Sequence, residues 1–143
     1  MTESEIKDKI ARFYEEVWNR GNYEYCDEIF ATEGDRQDQG GFGKNTPALQ
    51  KEVARKFREA FPDLNMVMEA IVTDGEYAAS RWRMTATHKA TGKRLCDYTA
   101  VNFWRFDGDK VIDVRNNRDD LAIFEQLGLV PKRDELWKRV LEG

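Results

Sequence analysis

Residues 77–106, YAASRWRMTATHKATGKRLCDYTAVNFWRF, contain two runs in which apolar and polar side chains alternate. Such alternation has the two-residue period of a strand with one buried face. The first run places on one face Ala78, Ser80, Trp82, Met84, Ala86 and His88, and on the other Arg81, Arg83, Thr85 and Thr87. After the turn ATGK, the second run places on one face Tyr98, Ala100, Asn102 and Trp104, and on the other Asp97, Thr99, Val101 and Phe103. The stretch therefore predicts an antiparallel hairpin.

Two further strands flank this hairpin. Residues 64–72, LNMVMEAIV, read as a strand that the turn TDGE joins to the first run. The turn DGDK follows the second run, and residues 111–118 form the next strand. The region from 64 to 118 therefore predicts an antiparallel meander of at least four strands.

Helical patterns precede the strands. An apolar stripe over residues 6–18 predicts a first helix, and residues 23–30 predict a short second one. Thr46 and Pro47 are a hydroxyl cap and a first-turn proline, and the helix that they begin ends before Pro62.

Two more helical patterns follow the strands. LAIFEQLGLVP predicts a helix capped at Gly128, and a final amphipathic helix carries Leu136, Trp137, Val140 and Leu141. Helices segregated on one face of an antiparallel sheet define the α+β class. We expect one domain over residues 1–130, with residues 131–143 as its C-terminal helical tail.

The composition predicts which partners the chain does not take. The 143 residues have a net charge of −4 and no basic stripe, so we expect no nucleic acid. We expect no membrane association, because no apolar run is long enough to span a bilayer and the N-terminus MTESEIKDK does not resemble a signal peptide. Cys26 and Cys96 form no CxxC, which argues against a metal site. Reduced buried thiols in a cytoplasmic protein are the expectation, with one disulfide as the alternative.

A curved sheet wrapped around helices can leave an apolar cavity between the two layers. We expect its wall to include Trp18, Trp82, Met84, His88, Tyr98 and Trp104. Two polar residues lie on faces that are otherwise apolar, Tyr14 on the first helix and Asn102 on the third strand. Each is either a core residue with a structural hydrogen bond or a donor to a ligand's developing oxyanion.

Two aspartates have competing interpretations. Asp38, in the glycine-rich stretch 30–43, is either a turn residue that bonds its own backbone or a catalytic carboxylate. Asp119 precedes the helix near Leu121 and is either an N-cap or an acid/base. Asp119 shares its side of the strand with Asp113, so a role in the cavity requires a bulge or an early end to the strand. His88, the one histidine, is expected at the rim.

Several stretches, in this order, resemble the SnoaL-like polyketide cyclases: FYEEVWNRGN (13–22), AFPDLNM (60–66), ASRWRMTATH (79–88), FWRFDGDKVIDV (103–114) and DDLAIFEQLG (119–128). The resemblance implies the cone-shaped α+β barrel of the nuclear transport factor 2 type, commonly dimeric. It also implies that Asp119 stands where the cyclases have their acid/base. Val101 and Phe103, on the outer sheet face, are consistent with a homodimer.

The ketosteroid isomerases, another branch of the same superfamily, supply a second resemblance. Their oxyanion tyrosine corresponds to Tyr14, and their general base corresponds to Asp38. Their protonated acid corresponds to Asn102 of NFWRF, where this chain has an amide. Together, the three matches favour the interpretation of Asp38 as a general base over its interpretation as a turn residue.

We therefore expect a cofactor-free enzyme that moves a proton on a small apolar substrate with an enolisable carbonyl group, as a cyclase or an isomerase. The alternative is a non-catalytic module for ligand binding or dimerisation. A third interpretation, a hydrolase or dehydratase, needs an arginine beside an inward aspartate, and Arg83 is expected to face outward.

Overall fold

The computed structural model describes residues 1–32, 44 and 46–143. Its centre is an antiparallel sheet of four strands in the order β1-β2-β3-β4. The strands are β1 (Asn65–Asp74), β2 (Tyr77–Thr87), β3 (Arg94–Asp107) and β4 (Lys110–Arg118). The hairpin predicted from residues 77–106 is confirmed, because β2 and β3 pair with Ser80 opposite Asn102 and Ala78 opposite Trp104.

The sheet curves because its register shifts once in each strand pair. The shifts fall between Met68 and Ala70, between Met84 and Ala86, and between Arg105 and Phe106. An extra residue in one strand bends that strand and increases the local twist. The alternation of buried and exposed residues survives the bends, so one face of β3 remains buried from Tyr98 to Phe106.

The first helix, α1 (Glu3–Phe13), continues directly into a π-helical segment, Tyr14–Asn19. The wider turn is visible in the hydrogen bond from the amide of Arg20 to the carbonyl of Glu15. Asn19 fastens the end of this segment to β1, since its side chain donates to the Met66 carbonyl at 3.0 Å and accepts from the Met66 amide at 2.7 Å. The Arg58 guanidinium donates to the carbonyls of Trp18 and Asn19. These bonds fix the orientation of the segment that carries Tyr14 and Trp18.

Two helices complete the layer that faces the sheet, α2 (Tyr25–Ile29) and α3 (Pro47–Ala60). The Thr46 hydroxyl caps α3 by accepting from the Leu49 amide at 3.1 Å. α3 packs on α2 and on the π-helical segment rather than directly on the strands. Of its residues only Ala54 is fully buried. The apolar face of α3 is thus half-buried, and a gap remains between that face and the sheet.

The chain ends in α4 (Asp120–Gln126) and α5 (Arg133–Leu141). Gly128 has a φ of +73°, which allows the chain to turn after α4. Arg133 attaches α5 to α4 through an ion pair with Glu125 at 2.6 Å. No side chain of α5 is buried, and Trp137 is 57% exposed. The predicted extra C-terminal helix is present, but it lies on the surface.

The helices between residues 1 and 143 that the structure describes are all too short or too polar to cross a membrane. Both cysteines are free. Cys26 is buried as expected, and burial raises the pKa of its thiol to about 12. The expectation of a buried thiol is wrong for Cys96, which is exposed because the register shift near Met84 turns both Cys96 and Asp97 outward.

Candidate functional site

The gap between α3 and the sheet is a narrow cavity of about 50 Å³ that opens to solvent. Its apolar wall comes from the helices, chiefly Trp18, Val53 and Phe57. The Trp18 and Phe57 rings meet edge to face with centroids 5.6 Å apart. Gln50 of α3 contributes one polar group, and the others come from the π-helical segment and the sheet: Tyr14, Trp82, Tyr98, Asn102, Asn116 and Arg118. An apolar cavity with a few converging polar groups is the usual form of a small-molecule site.

Tyr14 and Ser80 belong to a buried polar cluster on the inner face of the sheet. The Trp104 indole N–H donates to the Ser80 hydroxyl oxygen at 2.8 Å, and the Tyr14 hydroxyl lies 3.5 Å from the same oxygen. Burial raises the pKa of Tyr14 above its ordinary value, and hydrogen bonds with Ser80, Asn102 and Trp82 offset only part of the rise. Tyr14 therefore stays a neutral phenol and keeps its proton for donation.

Asn102 is oriented by Trp82. The indole N–H of Trp82 donates to Oδ1 of Asn102 at 3.3 Å, and both side chains are buried. An indole nitrogen can only donate, so the partner atom must be the amide oxygen. The amide nitrogen of Asn102 is then the atom that can serve a ligand.

A second cluster of hydrogen-bonded polar side chains lies at the cavity wall, where β4 ends. Tyr98 donates its hydroxyl proton to Oδ1 of Asp120 at 2.7 Å. The Arg118 guanidinium donates to both Asp120 oxygens, from Nε at 3.0 and 3.3 Å and from Nη2 at 3.0 Å. Burial first, and then the bond to Asp120, raise the pKa of Tyr98. Burial alone would lower the pKa of Arg118, but Asp120 and Tyr98 outweigh it and the net direction is upward, so the guanidinium stays charged.

The structure brings together five of the residues predicted for the site: Tyr14, Trp18, Trp82, Tyr98 and Asn102. Three predicted wall residues lie elsewhere. Met84 and Trp104 are buried in the core, each with no exposed surface. His88 lies after the end of β2, where its Nδ1 is 2.8 Å from the Thr91 hydroxyl and its ring contacts Phe61.

The two predicted carboxylates have different outcomes. Asp38 lies outside the described residues. Asp119 is the N-cap residue of α4, but its side chain makes no capping bond. It pairs instead with Arg133 at 3.1 Å, next to a surface groove that also contains Asp97 and Lys132. β4 continues in register to Arg118 without the bulge that a cavity position required, so Asp119 keeps its outward direction.

Asn116, Arg118 and Asp120 were missed by reasoning from the sequence. The sequence contained the signal for Asn116 and Arg118. The alternation along β4 that turns Asp119 outward also turns residues 114, 116 and 118 inward. Val114 pairs with Trp104, and Asn116 pairs with Asn102. Arg83 does not supply the arginine that a hydrolase or dehydratase needs beside an inward aspartate, because it lies on the outer face with Glu69, as expected.

Within residues 1–32, 44 and 46–143, no group of three His, Cys, Asp or Glu side chains has the arrangement of a metal site. None of the curated proteins compared with the chain matches it.

A curved four-stranded antiparallel sheet packed on helices around a cavity defines the class of nuclear transport factor 2-like α+β proteins. The sequence profile of the SnoaL-like polyketide cyclase family matches residues 8–127. The chain therefore belongs to the SnoaL-like polyketide cyclase family.

Solved structures agree with this assignment. A protein from Acidithiobacillus ferrooxidans, described as a candidate polyketide cyclase, is 28% identical with a TM-score of 0.76, and the match covers 92% of this chain and all of the other. One from Bacillus cereus, described in the same way, is 25% identical with a TM-score of 0.75, covering 89% of this chain and 83% of the other. TsrD from Streptomyces laurentii has a TM-score of 0.80 at 14% identity, with 91% and 99% covered, which shows the shared fold alone.

Proposed function

We propose that the protein is an enzyme that transfers a proton on a small apolar substrate with an enolisable carbonyl group, as a cyclase or an isomerase, without a metal or an organic cofactor. The observation that carries the proposal is the bond from the Trp82 indole to Oδ1 of Asn102. It leaves the amide N–H₂ available beside the Tyr14 hydroxyl in an apolar cavity.

The chemistry needs hydrogen-bond donors at the carbonyl oxygen. When a proton leaves the carbon next to a carbonyl, negative charge gathers on that oxygen. Donors held in place in a water-poor cavity stabilise this charge more than water does, because they need not reorient. Tyr14 and Asn102 both offer such donors, and both are held by neighbours that cannot be displaced without opening the core.

The proton acceptor in this proposal is Asp38 or Asp119, as the family resemblance implies. Asp38 is the preferred candidate, because the Asp119 carboxylate is paired with Arg133 away from the cavity. The Asp119 role would require a rearrangement at the junction of β4 and α4.

Solvent deuterium exchange tests the proposal. The protein is incubated in D₂O with a panel of small aryl ketones, including 2-tetralone, and incorporation at the α-carbon is followed by NMR. We expect wild-type protein to accelerate exchange for at least one ketone. Tyr14→Phe combined with Asn102→Leu removes both donors, and we expect a loss of about 100-fold. Tyr77→Phe, on the outer face, is the matched control.

A non-catalytic role makes a different prediction. If no ketone exchanges faster with the protein than without it, while ligands raise the melting temperature of wild type and of the double variant equally, the site binds without catalysis. That result would replace the enzymatic proposal.

We also propose a homodimer through the outer face of the sheet. Val72, Val101 and Phe103 are 62%, 41% and 50% exposed there, Val72 lies in the same row of the sheet as Phe103, and Phe103 stacks on Tyr77. Contiguous exposed apolar side chains on one face are typical of association surfaces. In light scattering after size-exclusion chromatography, Phe103→Glu should shift the mass toward one chain, whereas Val140→Glu on α5 should not. An unchanged mass for Phe103→Glu would contradict the proposal.

A cytoplasmic location is proposed as well. It is supported by the two free thiols, of which Cys96 is exposed. Unpaired exposed thiols are more common where the medium is reducing. Fractionation of cells that make the protein would test the location.

A further inference from the structure

Among the described residues, Asp120 is the carboxylate that touches the polar wall of the cavity. It contacts the wall at Tyr98 and Arg118, and its own side chain is 37% exposed. Tyr98, in contrast, is 2% exposed, and its ring packs edge to face on Trp82 with centroids 5.2 Å apart. The Tyr98 hydroxyl thus connects the closed interior with a carboxylate that water can reach.

We infer that Tyr98 and Asp120 form a proton relay, in which the Tyr98 oxygen takes a proton from the substrate while its own proton passes to Oδ1 of Asp120. This inference rests on the proposed proton-transfer function and adds an acceptor to it. The bond between the proton and the substrate's α-carbon or hydroxyl oxygen breaks, and a new O–H bond forms at Tyr98. The former Tyr98 proton ends on the Asp120 carboxylate. The negative charge moves from Asp120 to the substrate oxygen, where Tyr14 and Asn102 can stabilise it.

The geometry favours a coupled transfer over a free tyrosinate. The O–H of Tyr98 points at Asp120 over 2.7 Å, which is the distance of a strong bond to a carboxylate. Because the phenol is buried, its ionised form is disfavoured, so its proton must leave as the next one arrives. Water at the exposed side of Asp120 can then remove the proton and reset the pair.

The charged groups around Asp120 hold it in this position. Arg118, at the end of β4, donates hydrogen bonds to both carboxylate oxygens of Asp120. Asp119 is adjacent in the chain, but its charge is matched by Arg133 of α5. Arg118 is thereby a positioning residue, since it orients the carboxylate that accepts from Tyr98.

The experiment uses the full chain and 2-tetralone as the probe, and it compares Tyr98→Phe, Asp120→Asn, Asp120→Glu and Asp38→Asn. Asp97→Asn is the matched control, because it removes a carboxylate that is next to Tyr98 in the chain but pairs with Arg83 on the outer face. We expect Tyr98→Phe and Asp120→Asn each to reduce kcat for exchange about 100-fold, the usual contribution of an acid/base group, with KM little changed. Asp120→Glu should recover part of the rate, and Asp97→Asn should leave it near wild type. A merely structural role would not separate kcat from KM in this way.

Four outcomes would overturn the relay. If wild type exchanges the probe, Tyr14→Phe/Asn102→Leu abolishes exchange, and both relay variants retain it, the proposed function stands and the relay fails. A loss confined to Asp38→Asn or to only one relay member also excludes the relay. If wild type accelerates no exchange in the whole ketone panel, the proposed function fails and the relay fails with it. Melting temperatures verify folding, and should Asp120→Asn not fold, Tyr98→Phe and Asp120→Glu decide.

Discussion

The two faces of β3 differ in burial and in polarity. Its inner face carries Tyr98, Asn102 and Trp104, each at most 8% exposed. Its outer face carries Val101 and Phe103, exposed by 41% and 50%, among surface ion pairs. The same pleated strand therefore supplies hydrogen-bonded groups to the cavity and apolar groups to the exterior. The separation follows from the two-residue period alone.

The comparison also separates two kinds of polar interaction. On the inner face, a buried polar atom such as the Trp104 indole nitrogen is hydrogen-bonded, here to Ser80 Oγ, and loss of that partner leaves a buried donor unsatisfied. On the outer face, ion pairs such as that of Arg81 with Glu69, at 3.0 Å, lie in water. Exposed pairs of this kind contribute little to stability. Substitutions of similar size should thus have different effects on the two faces.

The largest expected effect is at Trp104. Trp104→Ala removes a fully buried ring that contacts Phe13, Tyr14 and Phe30, and we expect a loss of about 3–5 kcal/mol in the free energy of unfolding. Arg105→Ala, the next residue and on the outer face, should change it by no more than about 0.5 kcal/mol. Urea denaturation measures both. Equal losses would show that the two faces do not differ as described.

Alkaline pH should produce the next largest effect. Tyr14 and Tyr98 have raised pKa values in the folded state, so each keeps its proton where an unfolded tyrosine, with a pKa of 10.0, loses it. The contribution of these two phenols to the free energy of unfolding is complete below pH 10 and is lost as the pH rises further. At pH 11 we expect the free energy of unfolding to fall by about 1.4 kcal/mol per phenol. The variant Tyr14→Phe/Tyr98→Phe should not show this decrease.

The measurement is the urea midpoint of each variant at pH 9 and at pH 11. Tyr77→Phe is the control, because Tyr77 is 38% exposed on the outer face. If the double variant lost as much stability between the two pH values as wild type, the buried phenols would not be the cause.

The smallest of the three effects is expected at Ser80. Ser80→Ala deletes the acceptor of the Trp104 indole N–H and the neighbour of Tyr14. A buried donor left without a partner costs about 1–3 kcal/mol. Thr85→Ala, on the outer face of the same strand, should cost no more than about 0.5 kcal/mol in the same urea experiment. A neutral Ser80→Ala would indicate that the Trp104 N–H has another acceptor.

Much of the fold was predictable because local rules and tertiary packing agree. The caps at Thr46 and Gly128 and the alternation in β2 and β3 all depend on nearest neighbours along the chain. Tyr14 and Asn102 were found by a related rule, since each is polar on a face that is otherwise apolar. Both residues line the same cavity.

The rest of the site depended on details that no local pattern contains. Met84 and Trp104 have the correct parity but lie deeper than the cavity, because only part of the inner face is opposite α3. Cys96 changed sides at a register shift. Asp119 and Asp120 are neighbours, yet the first pairs with Arg133 and the second with Tyr98 and Arg118, because the chain passes from strand to helix between them.

By itself, the sequence determined the α+β class, the order of helices and strands, and which side of each strand is buried. Periodicity and capping express these features within a few residues of chain. Only the tertiary structure decided which polar groups meet and where the empty space remains. Those outcomes depend on three small register shifts and on the packing of α3 against α2 and the π-helical segment. Such geometry arises from contacts between residues that are distant in the sequence.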